Sequence, residues 1–297
     1  MHFSSVQLFA TCVLIWGSTW LAITFQFGTV APELSVGYRF LLASAVLFAF
    51  CRWRRLRLTF TFAEHREFFL FGTITFCLSY MLIYYAETLI VSGMVAIGYS
   101  ASPLVNMLMS RLIFATPMTR SVAVGALLGL VGIVCVFWPE FGMISASRNA
   151  ELGAVVTVLS VLASCAGNMA GMRIQRRGDN VWSSMGWGML YGGALSVLVA
   201  AFSGKPIVFD TSVQYILSLI YLALLGSIVT FACFLTLMKR HGAARASFVG
   251  VMSPIAALAL SFFFENFAWG WMTTIGVALS VLGNIVIMKS RKDELAH

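Results

Sequence analysis

What this chain is short of is charge. Only 10% of its 297 residues are Asp, Glu, Lys or Arg, against 60% that are hydrophobic. That balance leaves too little polar surface to coat a soluble domain, so most of the chain has to lie in lipid. Acids are scarcer than bases, eleven against nineteen, and Glu33, Glu87 and the rest fall in loops or at the ends of apolar spans. An intramembrane carboxylate is the usual device for binding cationic drugs and trading them for protons, and no such residue is visible here. Histidine is equally sparse, and His2, His65, His241 and His297 all lie outside the spans. With no base to activate a serine nucleophile inside the membrane, an enzyme is not expected. The six cysteines are dispersed, without a CxxC pair or a cysteine–histidine cluster, so no metal and no other cofactor is expected. No basic stripe with interleaved aromatics lies outside the spans, which excludes nucleic acid as a partner.

What is there is apolar sequence in lengths that fit a bilayer. Runs of about 20 apolar residues separated by polar breaks predict an all-α membrane protein of ten transmembrane helices. They cover roughly 6–27, 33–51, 67–86, 92–114, 119–138, 151–173, 182–202, 213–237, 243–265 and 269–288. If the N-terminus is cytoplasmic, sixteen of the nineteen basic residues fall on the inner side and only Arg148 and Lys205 on the outer. That bias puts both termini in the cytoplasm. The nineteenth, Arg39, lies within the second span, roughly 9 Å from its outer end at 1.5 Å per residue. It reads as an interfacial anchor or a latch to Glu33 or Glu87, with contact to a solute carboxylate as the alternative.

The chain also repeats itself. Ser92 to Pro103 reads SGMVAIGYSASP, and 151 positions later Ala243 to Pro254 reads AARASFVGVMSP. Ser102-Pro103 falls on Ser253-Pro254, Gly98 stands near the first break as Gly250 does near the second, and Gly125 and Gly132 fall on Gly276 and Gly283. A proline inside a helix displaces the carbonyl four residues earlier, here that of Tyr99 or Gly250. Bare carbonyls at membrane depth are tolerated only where protein buries them or they line a wet cavity. Five spans per half make the halves, 1–140 and 151–290, enter the membrane from opposite sides as inverted repeats. Interrupted helices at matching places in such halves are the best sequence pointer to a carrier's solute site.

Val13 to Ala22 reads VLIWGSTWLA and Val36 to Ala45 reads VGYRFLLASA. Together with the Ser-Pro of the fourth and ninth spans, these motifs resemble the drug/metabolite transporter superfamily, and more closely its EamA-type ten-helix bacterial members. The resemblance covers essentially the whole chain. It implies a multi-pass protein of the bacterial inner membrane that exports amino acids, often aromatic or bulky, or related metabolites. It also implies a central cavity among helices one, three, four, six, eight and nine.

The residues left for recognising a small-molecule solute are aromatic and neutral polar. Trp16 and Trp20 share a face of the first helix, Tyr80 and Tyr84 a face of the third, and Tyr99 and Ser102 stand at the first break. Asn168 is the one amide well inside the sixth span and needs a partner there. Packing is the competing reading for each aromatic. Phe231, Phe234, Phe248 and Met252 could complete the wall. Gly98, Pro103, Gly250 and Pro254 are the expected helix breaks and gating points. Gly125, Gly129, Gly132, Gly276 and Gly283 favour close helix contact, either within a monomer or across a weak homodimer. Absent a membrane carboxylate, uncoupled facilitated movement by alternating access is the simpler expectation. A nucleotide-sugar or phosphate-metabolite antiporter would need basic residues in the cavity, and a proton-coupled drug exporter would need an acid there.

Overall fold

A computed structural model of the chain describes residues 3–90, 95, 98–116, 120–136, 148–264 and 270–294. The described residues contain helices and no strand. Those longer than one turn are, in chain order, α1 (Ser5–Thr24), α2 (Pro32–Trp53), α3 (Phe62–Leu89), α4 (Ser102–Phe114), α5 (Arg120–Val136), α6 (Arg148–Arg177), α7 (Val181–Phe202), α8 (Val213–His241), α9 (Val249–Phe264) and α10 (Trp271–Glu294), with a single helical turn, Ala243–Ala246, between α8 and α9. Six of these, α1, α2, α3, α6, α7 and α8, are long and apolar enough to cross a membrane. The connection between the two halves, 137–147, lies outside the described residues, as do Ser92, Gly93 and Trp269.

Local chemistry sets the ends. Ser4 and Gln7 cap each other's backbone N–H groups at the start of α1, and Thr61 with Glu64 does the same for α3. Asn180 and Ser212 cap α7 and α8 through their side-chain oxygens. The chain leaves α8 through Gly242 at φ 83°, a left-handed conformation that glycine adopts without strain.

Two helices contain a π-helical turn, Thr73–Ser79 in α3 and Leu224–Val229 in α8. Their first residues are 151 positions apart, the same offset as the sequence repeat. In α8, Ser227 and Thr230 turn their hydroxyls back onto the carbonyls of Leu222 and Leu225, five residues earlier. Such turns interrupt the regular ladder and recur at functional sites.

The helix pairings follow the same offset. The glycine row anticipated in α5 and α10 is used within the chain. A Cβ on Gly132 would come 2.5 Å from the Gly276 carbonyl oxygen, and one on Gly283 would come 2.5 Å from that of Gly125. Adding 151 to the first-half residue of either contact and subtracting it from the second-half residue yields the other. Ser280 donates to the Gly129 carbonyl at 3.4 Å, and that contact maps onto itself. A second tight seam joins α3 to α7, where a Cβ on Gly72 would lie 2.2 Å from the Gly188 carbonyl. α2 also packs along α7, while α1 packs with α8 and α9, and α6 with α3 and α4.

One expectation about the breaks is corrected. Pro103 stands in the first turn of α4, where its missing N–H costs nothing, so it starts a helix rather than interrupting one. The irregular backbone lies just before it, where Ala101 N–H bonds to the Gly98 carbonyl in a tight turn. Pro254 does sit inside a helix, α9.

Candidate functional site

Between α1, α3, α4, α6, α8 and the lead-in to α9 is a cavity with about 90 Å³ open to the centres of water-sized molecules. That is several times the ~10–15 Å³ one water needs. Trp16 and Trp20 supply one wall from α1, Tyr80 and Tyr99 a second, and Phe231 and Phe234 of α8 a third. Polar groups are interleaved: Thr75 and Ser79 from the π turn of α3, Ser164 and Asn168 from α6, Ser102 from α4, and Ser247 and Ser253 around the second break. Among the described residues, nothing ionisable lines it apart from tyrosine hydroxyls.

The aromatic walls are held from behind. Trp16 donates its indole N–H to the Gly226 carbonyl at 3.2 Å, a carbonyl within the π turn of α8. Its ring meets Phe231 edge-on at 5.4 Å and Phe234 at 5.1 Å. Trp20 packs edge-on against Tyr99 at 5.9 Å, and its buried indole N–H has no hydrogen-bond partner among the described residues. The Tyr99 hydroxyl shares a 3.5 Å contact with Ser79. An unsatisfied indole donor beside neutral hydroxyls in an aromatic-walled pocket suits an amphipathic solute with an acceptor group.

The two breaks meet at this cavity. A Cβ on Gly250 would lie 2.9 Å from Ser102 Oγ and 3.1 Å from the Tyr99 carbonyl oxygen. Only glycine lets α9 approach the start of α4 so closely without displacing that carbonyl. Gly98 is seated against Thr157 of α6, whose methyl would be 2.4 Å from a Cβ there.

Of the anticipated solute-contacting residues, Trp16, Tyr80, Tyr99, Ser102 and Asn168 line the cavity, and Tyr84 does not. Tyr84 is fully buried, donates to Gln26 Oε1 at 2.7 Å and packs edge-on against Phe27. It shares a sequence spacing with Tyr80 but is packed against Gln26 and Phe27, away from the cavity. Phe231 and Phe234 line the wall, whereas Phe248 is buried with Met107, Val122 and Val251 beside α5. Sequence reasoning missed Asn106. It is wholly buried and its amide donates to the Ser102 carbonyl at 2.9 Å and Ser247 Oγ at 2.7 Å. Its Oδ1 accepts from Asn168 at 3.4 Å. The available signal was its position one turn beyond Ser102 on α4.

Arg39 is neither an anchor nor a latch. It is 1% exposed and points inward, donating from Nε to Ser227 Oγ at 2.9 Å and from Nη2 to the Gly226 carbonyl at 3.4 Å. Its guanidinium lies 4.7 Å from the centre of the Tyr80 ring, behind the cavity wall. Among the described residues it forms no ion pair with Glu33 or Glu87, and its Nη1 is buried without a partner. Glu33 instead accepts from the Tyr85 hydroxyl. Glu87 corrects the reading of the acids. Although near the end of α3, both its carboxylate oxygens are buried and have no hydrogen-bond partner among the described residues. It stands four residues beyond Ile83, the last residue of α3 to line the cavity.

The comparisons with known proteins agree with this architecture. The model of the EamA-like transporter family matches residues 3–138 and again 152–289. Protein PagO of Salmonella typhimurium is 23% identical over 96% of this chain and 92% of its own length. Protein PecM of Dickeya dadantii is 23% identical over 98% and 96%. An uncharacterized inner membrane transporter of Escherichia coli K12, YedA, is 26% identical over 83% and 78%. One solved crystal structure superposes with a TM-score of 0.79 at 19% identity, covering 98% of both chains, a likeness of fold.

Proposed function

The chain belongs to the EamA-like transporter family, and from that premise we propose that it is a carrier of the bacterial inner membrane exporting bulky neutral amino acids, aromatic ones first, or related metabolites. In this reading residues 1–140 and 151–290 are inverted five-helix repeats, ten helices cross the membrane and both termini are cytoplasmic. Alternating access proceeds as the elements around the two breaks shift against their repeat-related partners.

The observation that carries the reading is the cavity itself. Its walls combine indole, phenol and phenyl rings with neutral hydroxyls and one amide, and both breaks open onto it. An aromatic side chain can stack on such walls, while the polar ends of the solute meet hydroxyls and the unpartnered Trp20 N–H. The reciprocal glycine contacts of α5 and α10 support a pseudo-twofold relation between the halves. A phosphorylated solute is disfavoured, because it needs converging charge-assisted donors and, among the described residues, no arginine or lysine lines the cavity.

Uncoupled movement was favoured because no carboxylate was expected within the membrane. Glu87 removes that ground, and gives the proton-coupled alternative a specific residue. The test is flux of labelled aromatic amino acids in proteoliposomes with and without a pH gradient. Saturable flux at equal pH supports the facilitated carrier. Flux that requires the gradient and disappears in Glu87→Gln supports coupling. Flux at the level of empty liposomes under both conditions, across the bulky neutral amino acids, rejects the proposed solute class.

A further inference from the structure

Away from the solute cavity, a second and larger void of about 740 Å³ opens between α1, α2, α7 and α8. Its floor is apolar: Leu8 of α1, Phe50 of α2, and Val229 and Ala232 of α8. Its rim is basic, with Arg54 at the end of α2 and Lys239 and Arg240 in the last turn of α8. Trp53 and Trp182 flank the rim. We infer that this crevice holds an anionic phospholipid of the cytoplasmic leaflet, with the phosphate at the three cations and an acyl chain along α8.

Depth, charge and shape each lead there. From Val229 to Arg240 the lining runs eleven residues along α8, roughly 16 Å at 1.5 Å per residue. That is about half of the ~30 Å hydrocarbon core, or one leaflet. An apolar void this large between membrane helices is costly to leave empty or to fill with water, and acyl chain is the material at hand. Among the described residues the rim cations have no carboxylate of their own. The acid in the lining is Asp179, and Arg177 already occupies it through Nε at 2.8 Å and through its Nη2. Arg240 spends one N–H on the Phe3 carbonyl, and Arg54 lies over the Trp53 ring at 5.8 Å. The Asn180-capped N-terminus of α7 also faces the crevice and adds the positive end of a helix dipole. A zwitterionic headgroup would bring a fourth cation to this rim, and an anionic one does not. Bound there, the lipid would brace α1 and α8 against α2 and α7.

The inference rests on the carrier reading only for which leaflet the rim faces, and its test needs no transport. The purified full chain in detergent is titrated with phosphatidylglycerol, phosphatidylcholine or inorganic phosphate, with lipid adducts read by native mass spectrometry and stability by thermal unfolding. Phosphatidylglycerol is expected to give a retained adduct and to raise the midpoint by ~4 °C or more near saturation, with little effect from the other two. Combining Arg54→Gln, Lys239→Gln and Arg240→Gln, all at exposed rim positions, should leave the lipid-free midpoint near wild type and cut the adduct at least tenfold. Ala232→Trp, which fills the floor and keeps the cations, should also reduce it. Equal response to both lipids, an equal shift with inorganic phosphate, or undiminished phosphatidylglycerol binding by the triple variant would each overturn the inference.

Discussion

Asn106→Leu removes one amide and almost no volume, from a side chain with no exposed surface. Two short bonds are lost, to the Ser102 carbonyl at 2.9 Å and to Ser247 Oγ at 2.7 Å, together with the 3.4 Å contact that orients Asn168. Ser247 keeps its bond to the Ala243 carbonyl at 2.7 Å and the Ser102 carbonyl keeps its 3.8 Å contact from the Cys165 thiol, so the Asn168 amide is what remains short of a partner. Interhelical bonds in membranes average about 0.6 kcal/mol and reach about 1.7, so the loss should total about 1–3 kcal/mol. For a chain of this size that lowers the unfolding midpoint by roughly 2–10 °C. Flux should fall further than stability, because Asn168 is then free to turn away from the cavity. Thermal unfolding in detergent and initial flux rates, both measured well below the variant's midpoint, separate the two effects. In a double-mutant cycle with Asn168→Leu, the combined loss should be smaller than the sum, since both changes break one contact. A midpoint within a degree of wild type and unaltered flux would refute this account of how the first break is held.

Gly132→Leu and Gly283→Leu each drive a side chain against a backbone carbonyl 2.5 Å from the Cβ position. Separating α5 from α10 in this way should cost about 1–3 kcal/mol or more, by a similar amount for the two variants, as read by chemical unfolding in detergent. Arg39→Lys keeps the charge but cannot span Ser227 Oγ and the Gly226 carbonyl with one planar group. A drop of several degrees in the midpoint and slower flux are expected, and an unchanged protein would count against the inward role of Arg39. Glu87→Gln should leave the midpoint level or higher, since an ionised carboxylate without a partner costs several kcal/mol; a clear loss of stability would mean that the ionised form is paired.

Much of the fold was legible in the sequence because lipid leaves few options. Span lengths gave most helix ends to within about six residues; the exceptions are the fourth span, expected from 92, whose helix begins at Ser102, and Phe62 to Arg66, which reads as a basic loop but forms the first turn of α3. The 151-residue offset could be read from small residues, whose positions are fixed by close backbone approach; Gly125, Gly132, Gly276 and Gly283 all sit at such contacts. Residue type and helical spacing located much of the aromatic wall. Spacing could not say that Tyr80 reaches the cavity while Tyr84 bonds to Gln26, because the two share a helix face but stand one turn apart along α3, roughly 6 Å at 1.5 Å per residue. Nor could it pair Arg39 with Ser227, 188 residues away and in the other half. Glu87 was misread because a carboxylate near a span end is ordinarily solvated. Here it is buried, a property of the packed bundle that its neighbours in sequence do not reveal.

The measurement that bears most directly on the path between the two breaks compares wild type with Gly250→Val in proteoliposomes, using labelled phenylalanine driven by its own concentration difference. The added side chain would begin 2.9 Å from Ser102 Oγ and 3.1 Å from the Tyr99 carbonyl, inside the proposed route. The account predicts saturable flux for wild type, and flux at the empty-liposome level for a variant that purifies folded with its lipid response intact. Wild-type flux persisting in folded Gly250→Val would place the route elsewhere and contradict the account.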